Sequence, residues 1–330
     1  MHKDFKQKRC IPMFHLRCLS KGSTPLRNAY CKYISALLLF GSNGIVASRI
    51  SLTSYEIVLL RTLAGSLFLL TLFLLTGKSL TFRQHRRQFF FLAVSGAAMG
   101  ASWMFLYEAY RQIGVSLASL AYYCGPVIVM ALSPFLFHEK LTRTKSLGFF
   151  IVLCGVGLVN GQAFQEGKTG WGLICGGMSA VLYALMVLCN QKAKDIAGLE
   201  NAMLQLCTAL LTVAAFVSVK QGLALQIAEK DWIPILFLGF LNTGIGCYFY
   251  FSSIGQLPVQ SVAICGYLEP LSAVLFSVLL LRETMQPLQV LGAILILGGA
   301  AFSECTGKTV PRSRCVPKTG RFHFMKGFFS

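Results

Sequence analysis

Ten apolar segments separated by short polar connections occupy most of this chain. Most of them approach the ~20 residues that an α-helix needs to cross a bilayer. The predicted spans are 33–48, 54–76, 88–109, 116–137, 146–161, 170–190, 199–219, 232–252, 260–281 and 286–303. The fifth and tenth are short, and Gly155, Gly157, Gly298 and Gly299 predict that they pack closely. The short connections indicate antiparallel neighbours and leave no room for a soluble domain between spans.

The chain also matches itself at a constant offset of 144 residues. The segment from Pro258 to Ser303 falls on the segment from Gly114 to Val159 without a gap. Identical pairs include Tyr123 with Tyr267, Pro126 with Pro270, Ser133 with Ser277, Glu139 with Glu283, Gly148 with Gly292 and Gly155 with Gly299. A constant offset over most of the chain indicates an internal duplication. Because each copy holds five spans, an odd number, the second copy should be inverted in the membrane.

The sequence therefore predicts an all-α integral membrane protein whose ten transmembrane helices form two inverted five-helix repeats. We expect a basic cytoplasmic tail at 1–32 and a first repeat at 33–161. A second repeat should occupy 162–303, followed by a basic, aromatic cytoplasmic tail at 304–330. That last tail either lies on an anionic inner leaflet or is disordered and only fixes the orientation.

Charge distribution supports a membrane protein over a nucleic-acid-binding domain. The chain is 55% hydrophobic and 13% charged, below the quarter or so that is usual for soluble domains. Its net charge of +18 lies in the tails and a few connections, not on a folded face. Of the 30 Lys and Arg residues, 23 fall on the side of the termini, six on the other side and one, Arg61, within a span. This asymmetry predicts a multi-pass protein of the plasma or inner membrane, with both termini in the cytoplasm.

Enzymatic motifs are not found in the sequence. It has no phosphate-binding glycine loop, no His-Glu metal pattern and no nucleophile elbow, and the five histidines lie in tails or inner connections. None of the twelve cysteines falls in a connection assigned to the outside, which predicts free thiols. We therefore expect no enzyme activity, no cofactor and no metal site.

The residues from Pro126 to Gly155, with Glu139 and Gly148 between them, resemble the EamA-type permeases of the drug/metabolite transporter superfamily. The second copy of the pattern comprises Glu269-Pro270, Glu283, Leu291-Gly292 and Gly299, and the resemblance covers about 33–303. Arg61 and the glycine-rich start of the sixth span also fit it. The resemblance implies two inverted five-helix bundles that move small metabolites by alternating access. The small multidrug members carry an acidic residue in their first helix; span 33–48 has none, so their proton-coupling site cannot be transferred.

Two ionisable residues within predicted spans are the leading candidates for function, because charges inside a bilayer are costly. Glu269 lies near the middle of the ninth span and precedes Pro270, which removes a backbone donor. It either binds a cationic group or a proton during the cycle, or forms a structural ion pair with Arg61. Arg61 lies seven residues into its span and either binds an anionic group or pairs with an acid.

Uncharged candidates lie at middle depth. Tyr123, Tyr267 and Trp103 could wall a solute site or simply pack between helices, and the amides of Asn43 and Asn242 need partners there. Other polar or small residues are expected at the span ends or in helix contacts: Glu56 and Glu108 in an outer vestibule, Glu139 and Glu283 at helix ends, and Gly96 and Gly100 in a helix contact.

These observations predict a secondary transporter of a small organic metabolite, an amino acid or amine-like solute, with export favoured over uptake. Two alternatives stay open. One is an exchanger of phosphorylated sugars or nucleotides, although that chemistry favours several buried cations and only Arg61 is found. The other is a membrane receptor or scaffold that does not transport. The expected partners are the small-molecule solute and membrane lipid, with no nucleic acid, and the protein should be a monomer or homodimer.

Overall fold

The computed structural model describes residues 24–47, 49–77, 80–113, 118, 121–137, 141–160, 170–222, 225, 227–281 and 287–306. Throughout these ranges the ordered elements are helices, and no strand is found among them. Five of the helices are long and apolar enough to cross a membrane, and Cys124–Phe137 and Val290–Ser303 are shorter apolar segments. Glu139, Glu283 and the tail residues 1–23 and 307–330, about which the sequence made predictions, lie outside the described residues.

The helices confirm the predicted series of ten spans. In chain order they are Thr24–Gly41 with Asn43–Ala47, Ser54–Leu75, Arg86–Ile113, Cys124–Phe137, Arg143–Asn160, Gly170–Asn190, Gly198–Lys220, Trp232–Ile254, Val259–Cys265 with Leu268–Leu281, and Pro287–Thr306. The first helix begins nine residues before the predicted span and extends into the segment expected to be a tail. The eighth span contains a π-helical segment, Phe237–Ile245, between two α-helical ends.

Contacts between the spans follow a pseudo-two-fold relation that exchanges the first five spans with the last five. The first span packs on the eighth and ninth, and correspondingly the sixth packs on the third and fourth. The second packs on the seventh and the fifth on the tenth, so these two pairs lie on the pseudo-two-fold axis. Two bundles that each contain an odd number of helices and pack in this way form an inverted repeat.

The fifth and tenth spans approach each other through repeat-related glycines. Gly148 lies against the carbonyl oxygen of Gly299, and Gly155 lies against that of Gly292. The offset of 144 exchanges these two contacts. The prediction was wrong for Gly157 and Gly298, which have no neighbour where a side chain would project, because they lie away from the contacting face of their helices.

The helix contact predicted at Gly96 and Gly100 is formed, and its partner is the seventh span. Gly96 lies against the carbonyl oxygen of Gln205, and Gly100 against that of Ala209. Without side chains at these two positions, the helix backbones can pack directly on each other.

The helix directions define two faces of the bundle. We call the end that carries Thr24, Thr306 and the connection 191–197 the terminal face. The end that carries the connections 49–53 and 227–231 is the opposite face.

Candidate functional site

A cavity between the two repeats brings together several of the predicted residues. It is lined by Phe40, Asn43, Arg61, Met99, Ser102, Trp103, Tyr122, Tyr183, Met186, Cys247, Tyr250, Phe251 and Glu269. Aromatic rings and methionines supply most of the wall, and Arg61 and Glu269 supply its charges. The cavity volume is about 40 Å³, well below the several hundred Å³ of a typical ligand pocket. In this conformation the cavity is therefore narrow.

Both repeats line the cavity, but its chemistry does not follow their symmetry. Trp103 and its repeat mate Cys247 both line the wall. Arg61, by contrast, has Gln205 at the equivalent position of the second repeat, and Glu269 has Gly125 in the first. Each repeat therefore contributes one charge to the cavity wall.

Arg61 is held in place by neutral partners. Its side chain is buried, its Nε donates to Thr243 Oγ1 at 3.0 Å, and one terminal nitrogen donates to the Tyr107 hydroxyl at 3.1 Å. The guanidinium also stacks 4.5 Å from the centre of the Trp103 ring, a cation–π contact. Of five N–H groups, three have no hydrogen-bond partner among the described residues. They are available to an anionic group in the cavity.

The structural ion pair considered for Arg61 and Glu269 is not formed. No ion pair in the described part of the chain involves either residue. Thr243, Tyr107 and Trp103 contact the guanidinium instead, and Glu269 lines the same cavity from the second repeat.

Glu269 is positioned by a break in the ninth span. The helix is interrupted at Gly266-Tyr267 and resumes at Leu268, which places Glu269 in the first turn of Leu268–Leu281. Pro270 is tolerated there because the N–H groups of a first turn have no intrahelical acceptor. The Glu269 backbone N–H donates to the carbonyl oxygen of Gly266 at 3.1 Å, and the positive end of the helix dipole at this start favours a negative charge. Among the described residues, the Glu269 carboxylate has no hydrogen-bond or ion-pair partner.

Asn43 and Asn242 meet at a second helix break. The first span is interrupted at Ser42, and the Asn242 amide nitrogen lies 2.8 Å from Ser42 Oγ and 2.9 Å from Asn43 Oδ1. It also approaches the carbonyl oxygen of Leu39 at 3.2 Å. Asn43 lines the cavity, whereas Asn242 is fully buried behind it and holds the break in place.

Tyr267 and Tyr123 form a repeat-related contact and do not line the cavity. The Tyr267 hydroxyl donates to the carbonyl oxygen of Tyr123 at 2.8 Å, and their rings are 6.4 Å apart. The neighbouring Tyr122 lines the cavity instead. A turn at Tyr123 interrupts the helix and changes the direction of successive side chains, which a continuous helical pattern does not reveal.

Three tyrosines pack together on the terminal side of the bundle, and two of them, Tyr183 and Tyr250, also line the cavity. Tyr33, Tyr183 and Tyr250 each lie in the terminal half of their span. The Tyr183 and Tyr250 hydroxyls are 3.3 Å apart, and the Tyr33 and Tyr250 rings are 5.4 Å apart.

The two acidic residues expected in a vestibule have other partners. Glu56 forms a capping box with Thr53 at the start of its helix. Glu108 is buried and accepts hydrogen bonds from Tyr55, from Arg111 at 3.1 Å and from Gln112 at 2.9 Å. Neither residue lines the cavity.

Sequence reasoning missed most of the apolar wall, including Phe40, Met99, Met186 and Phe251. Apolar residues in a membrane span carry no signal that separates a cavity wall from a lipid-facing or packed surface. The sequence did indicate the two charged residues, because Arg61 and Glu269 are positions at which the two copies of the repeat differ in charge.

The cavity wall therefore presents both a cationic and an anionic group. Arg61 offers N–H donors to a carboxylate, Glu269 offers an acceptor to an ammonium group, and aromatic rings surround an apolar portion. In the described part of the chain no three His, Cys, Asp or Glu residues cluster in a way that could hold a metal ion.

Comparisons with known proteins give a consistent result. The family model described as "EamA-like transporter family" matches residues 27–161 and 170–304. The chain is 25% identical over 287 residues to "Uncharacterized transporter YxxF" of Bacillus subtilis, covering 86% of this chain and 92% of that protein. It is 25% identical to "Uncharacterized inner membrane transporter YhbE" of Escherichia coli, over 64% of this chain and 70% of that protein.

A plant relative and a solved structure extend the comparison. "WAT1-related protein At3g02690, chloroplastic" of Arabidopsis thaliana is 24% identical over 58% of this chain and 49% of that protein. A solved crystal structure superimposes with a TM-score of 0.72, covering 83% of this chain and 97% of the other. At 19% identity, that match supports the fold alone.

Proposed function

Because this chain belongs to the EamA-like transporter family, we propose that it moves a small organic metabolite across the plasma membrane by alternating access. The proposed solute is an amino acid or a related amine-bearing metabolite, and export is the favoured direction. Both termini lie in the cytoplasm in this proposal, as the distribution of Lys and Arg indicates.

One observation carries the proposal: an unpaired cation and an unpaired anion line the same cavity between the repeats. Arg61 retains three free N–H donors, and Glu269 has no partner among the described side chains. Unpaired charges at membrane depth are costly, and a zwitterionic solute would satisfy both at once. A solute bearing only an amine would satisfy Glu269 and leave Arg61 with its neutral partners.

The inverted repeat suggests how the site would be exposed to each side in turn. Rocking of one bundle against the other around a fixed central site is the usual mechanism for such folds. The breaks at Ser42 and at Gly266-Tyr267 give the first and ninth spans points at which to bend. Since the cavity is narrow here, we expect the tyrosines Tyr183 and Tyr250 to move when a solute enters.

An exchanger of phosphorylated sugars or nucleotides is less well supported. A phosphate dianion favours two or more cationic donors, and the described wall of the cavity supplies Arg61 alone. A membrane scaffold that does not transport needs no charged residues in an internal cavity, so this alternative does not account for Arg61 and Glu269.

A binding experiment tests the proposal. Thermal unfolding of the detergent-purified protein would be followed with amino acids, polyamines, nucleotides and sugar phosphates. A ligand at one hundred times its Kd should add about 2.7 kcal/mol to the free energy of unfolding. We expect stabilisation by amino acids or amines that is lost in Glu269→Gln.

The matched control is Glu108→Gln, which alters a buried glutamate that does not line the cavity and should retain the ligand response. Stabilisation by sugar phosphates alone would favour the exchanger. No response to any compound, or an equal response in Glu269→Gln, would contradict the proposed site.

A further inference from the structure

Polar contacts connect the two repeats at both faces of the bundle. At the opposite face, the backbone N–H of Ser51 lies 3.3 Å from each carboxylate oxygen of Asp231, and the Ser51 hydroxyl donates to the same carboxylate. Ser51 precedes the second span and Asp231 precedes the eighth. We call this pair the opposite-face contact. Its carboxylate is fully buried.

At the terminal face, Asp195 makes the corresponding connection. Its backbone N–H donates to Gln88 Oε1 at 2.8 Å, its carboxylate accepts from the Gln88 side-chain amide, and His85 Nδ1 lies 3.6 Å from that carboxylate. Asp195 belongs to the connection before the seventh span, and Gln88 to the start of the third. We call this group the terminal-face contact. Its carboxylate is more than half exposed.

The two contacts occupy equivalent places in the duplicated architecture. Adding 144 to Ser51 gives Asp195, and subtracting 144 from Asp231 gives Arg87, the neighbour of Gln88. At each face, therefore, the connection that opens one repeat's second helix is joined to the start of the other repeat's third helix. The position of the carboxylate differs: it lies on the third-helix side at the opposite face and on the second-helix side at the terminal face.

We propose that these contacts are the two gate contacts of the transport cycle, and that release of one opens the cavity toward its own face. The proposal rests on the transport function above. Both contacts are formed in this structure, and the cavity between them is narrow. Opening toward either face separates the two repeats there, so one contact must break while the other keeps the bundles together. Ser51, Asp231, Asp195 and Gln88 thereby position the repeats without touching the solute.

A second pair strengthens the terminal face alone. Glu200 accepts hydrogen bonds from the Thr81 hydroxyl and from the Phe82 backbone N–H, the latter at 2.9 Å. Its repeat mate, Glu56, caps its own helix and does not reach the other repeat. Loss of the terminal-face contact should therefore have a smaller effect than loss of the opposite-face contact.

The chain carries a native reporter of cavity opening. Cys247 is buried and lines the cavity, whereas Cys175 is buried elsewhere, among Ala109, Ile113 and Ala118. A membrane-impermeant thiol reagent would be added to right-side-out or to inverted membrane vesicles containing the full-length protein. Peptide mass spectrometry would then give the rate of modification at each cysteine.

Ser51→Ala and Asp195→Ala form a matched pair, because they are repeat-equivalent, exposed positions changed to the same residue. Removing a hydrogen bond that involves a charged group should raise the open population by about tenfold for Ser51→Ala. That increase in Cys247 modification should occur only in the vesicle orientation that exposes the opposite face to the reagent. Asp195→Ala should give a several-fold increase in the other orientation, and Cys175 should stay unmodified in both variants.

The proposal would be overturned if both variants changed Cys247 modification from the same side, or if neither changed it. Modification of Cys175 would indicate loosening of the whole bundle. The milder Asp231→Asn would then replace Ser51→Ala, with the same expectation. The modification assay uses no solute. Its result can therefore contradict the gate contacts while solute flux is observed, or support the gate contacts when no flux is observed.

Discussion

At the scale of single residues, the cavity depends on how Arg61 is held without a counter-charge. Thr243, Tyr107 and Trp103 orient the guanidinium through two hydrogen bonds and a ring, and leave its other donors free. The position of Arg61 and Glu269 in apolar spans could be predicted from the sequence, because ionisable residues stand out there. Their partners could not, since Thr243 is distant in sequence and lies on a π-helical segment that no pattern indicated.

The Thr243 hydroxyl gives a test of this arrangement. Thr243→Val keeps the shape but removes the acceptor for Arg61 Nε, and should lower the free energy of unfolding by about 1.5–3 kcal/mol. Thr243→Ser keeps the hydroxyl and should cost much less. The measurement is denaturant or thermal unfolding in detergent. Equal losses in the two variants would mean that the hydroxyl does not hold Arg61.

At the scale of helices, the sequence predicted the number and order of the spans but not their interruptions. The apolar pattern placed the ten spans, and Pro270 indicated a local irregularity in the ninth. The break at Ser42 and the turn at Tyr123 depend on tertiary contacts, such as the hydrogen bonds from Asn242 and Tyr267. For that reason the sequence named Tyr123 where the structure places Tyr122 on the cavity wall.

The contact between the fifth and tenth spans gives an element-scale prediction. A side chain at Gly155 would meet the carbonyl oxygen of Gly292 at 2.6 Å, so Gly155→Ala should destabilise the protein by about 1–3 kcal/mol. Gly157→Ala projects into open space and should be neutral, or stabilising by up to about 1 kcal/mol through helix propensity. Thermal unfolding of the two variants makes the comparison. A neutral Gly155→Ala would contradict the close approach of these helices.

At the scale of the whole molecule, the constant offset of 144 residues predicted the inverted repeat, which the pairing of the spans reproduces. A comparison of the two repeats also indicates which residues give the cavity its charge. Helices of both copies line the cavity, and two of the positions at which the copies differ, Arg61 and Glu269, give it its charges. Which apolar residues complete the wall depends on packing, and the sequence alone does not reveal it.

Orientation in the membrane is a further prediction at this scale. Since 23 of the 30 Lys and Arg residues lie on the side of the termini, tags at both ends should be digested by protease in inverted vesicles and protected in right-side-out vesicles. Lys168, in the connection before the sixth span, should be modified by an impermeant amine reagent only from the other side. Tags digested from opposite sides would contradict an even number of spans.

The most direct test of the central claim is solute counterflow in proteoliposomes. Vesicles loaded with an unlabelled amino acid or amine identified by the stabilisation panel would be diluted into a trace of the same labelled solute. The wild type should accumulate label transiently, and Glu269→Gln, which keeps the shape of the side chain without its charge, should lose at least about 90% of that rate because the ammonium group loses its acceptor. Counterflow at the wild-type rate in Glu269→Gln would contradict the account of the cavity as the solute site.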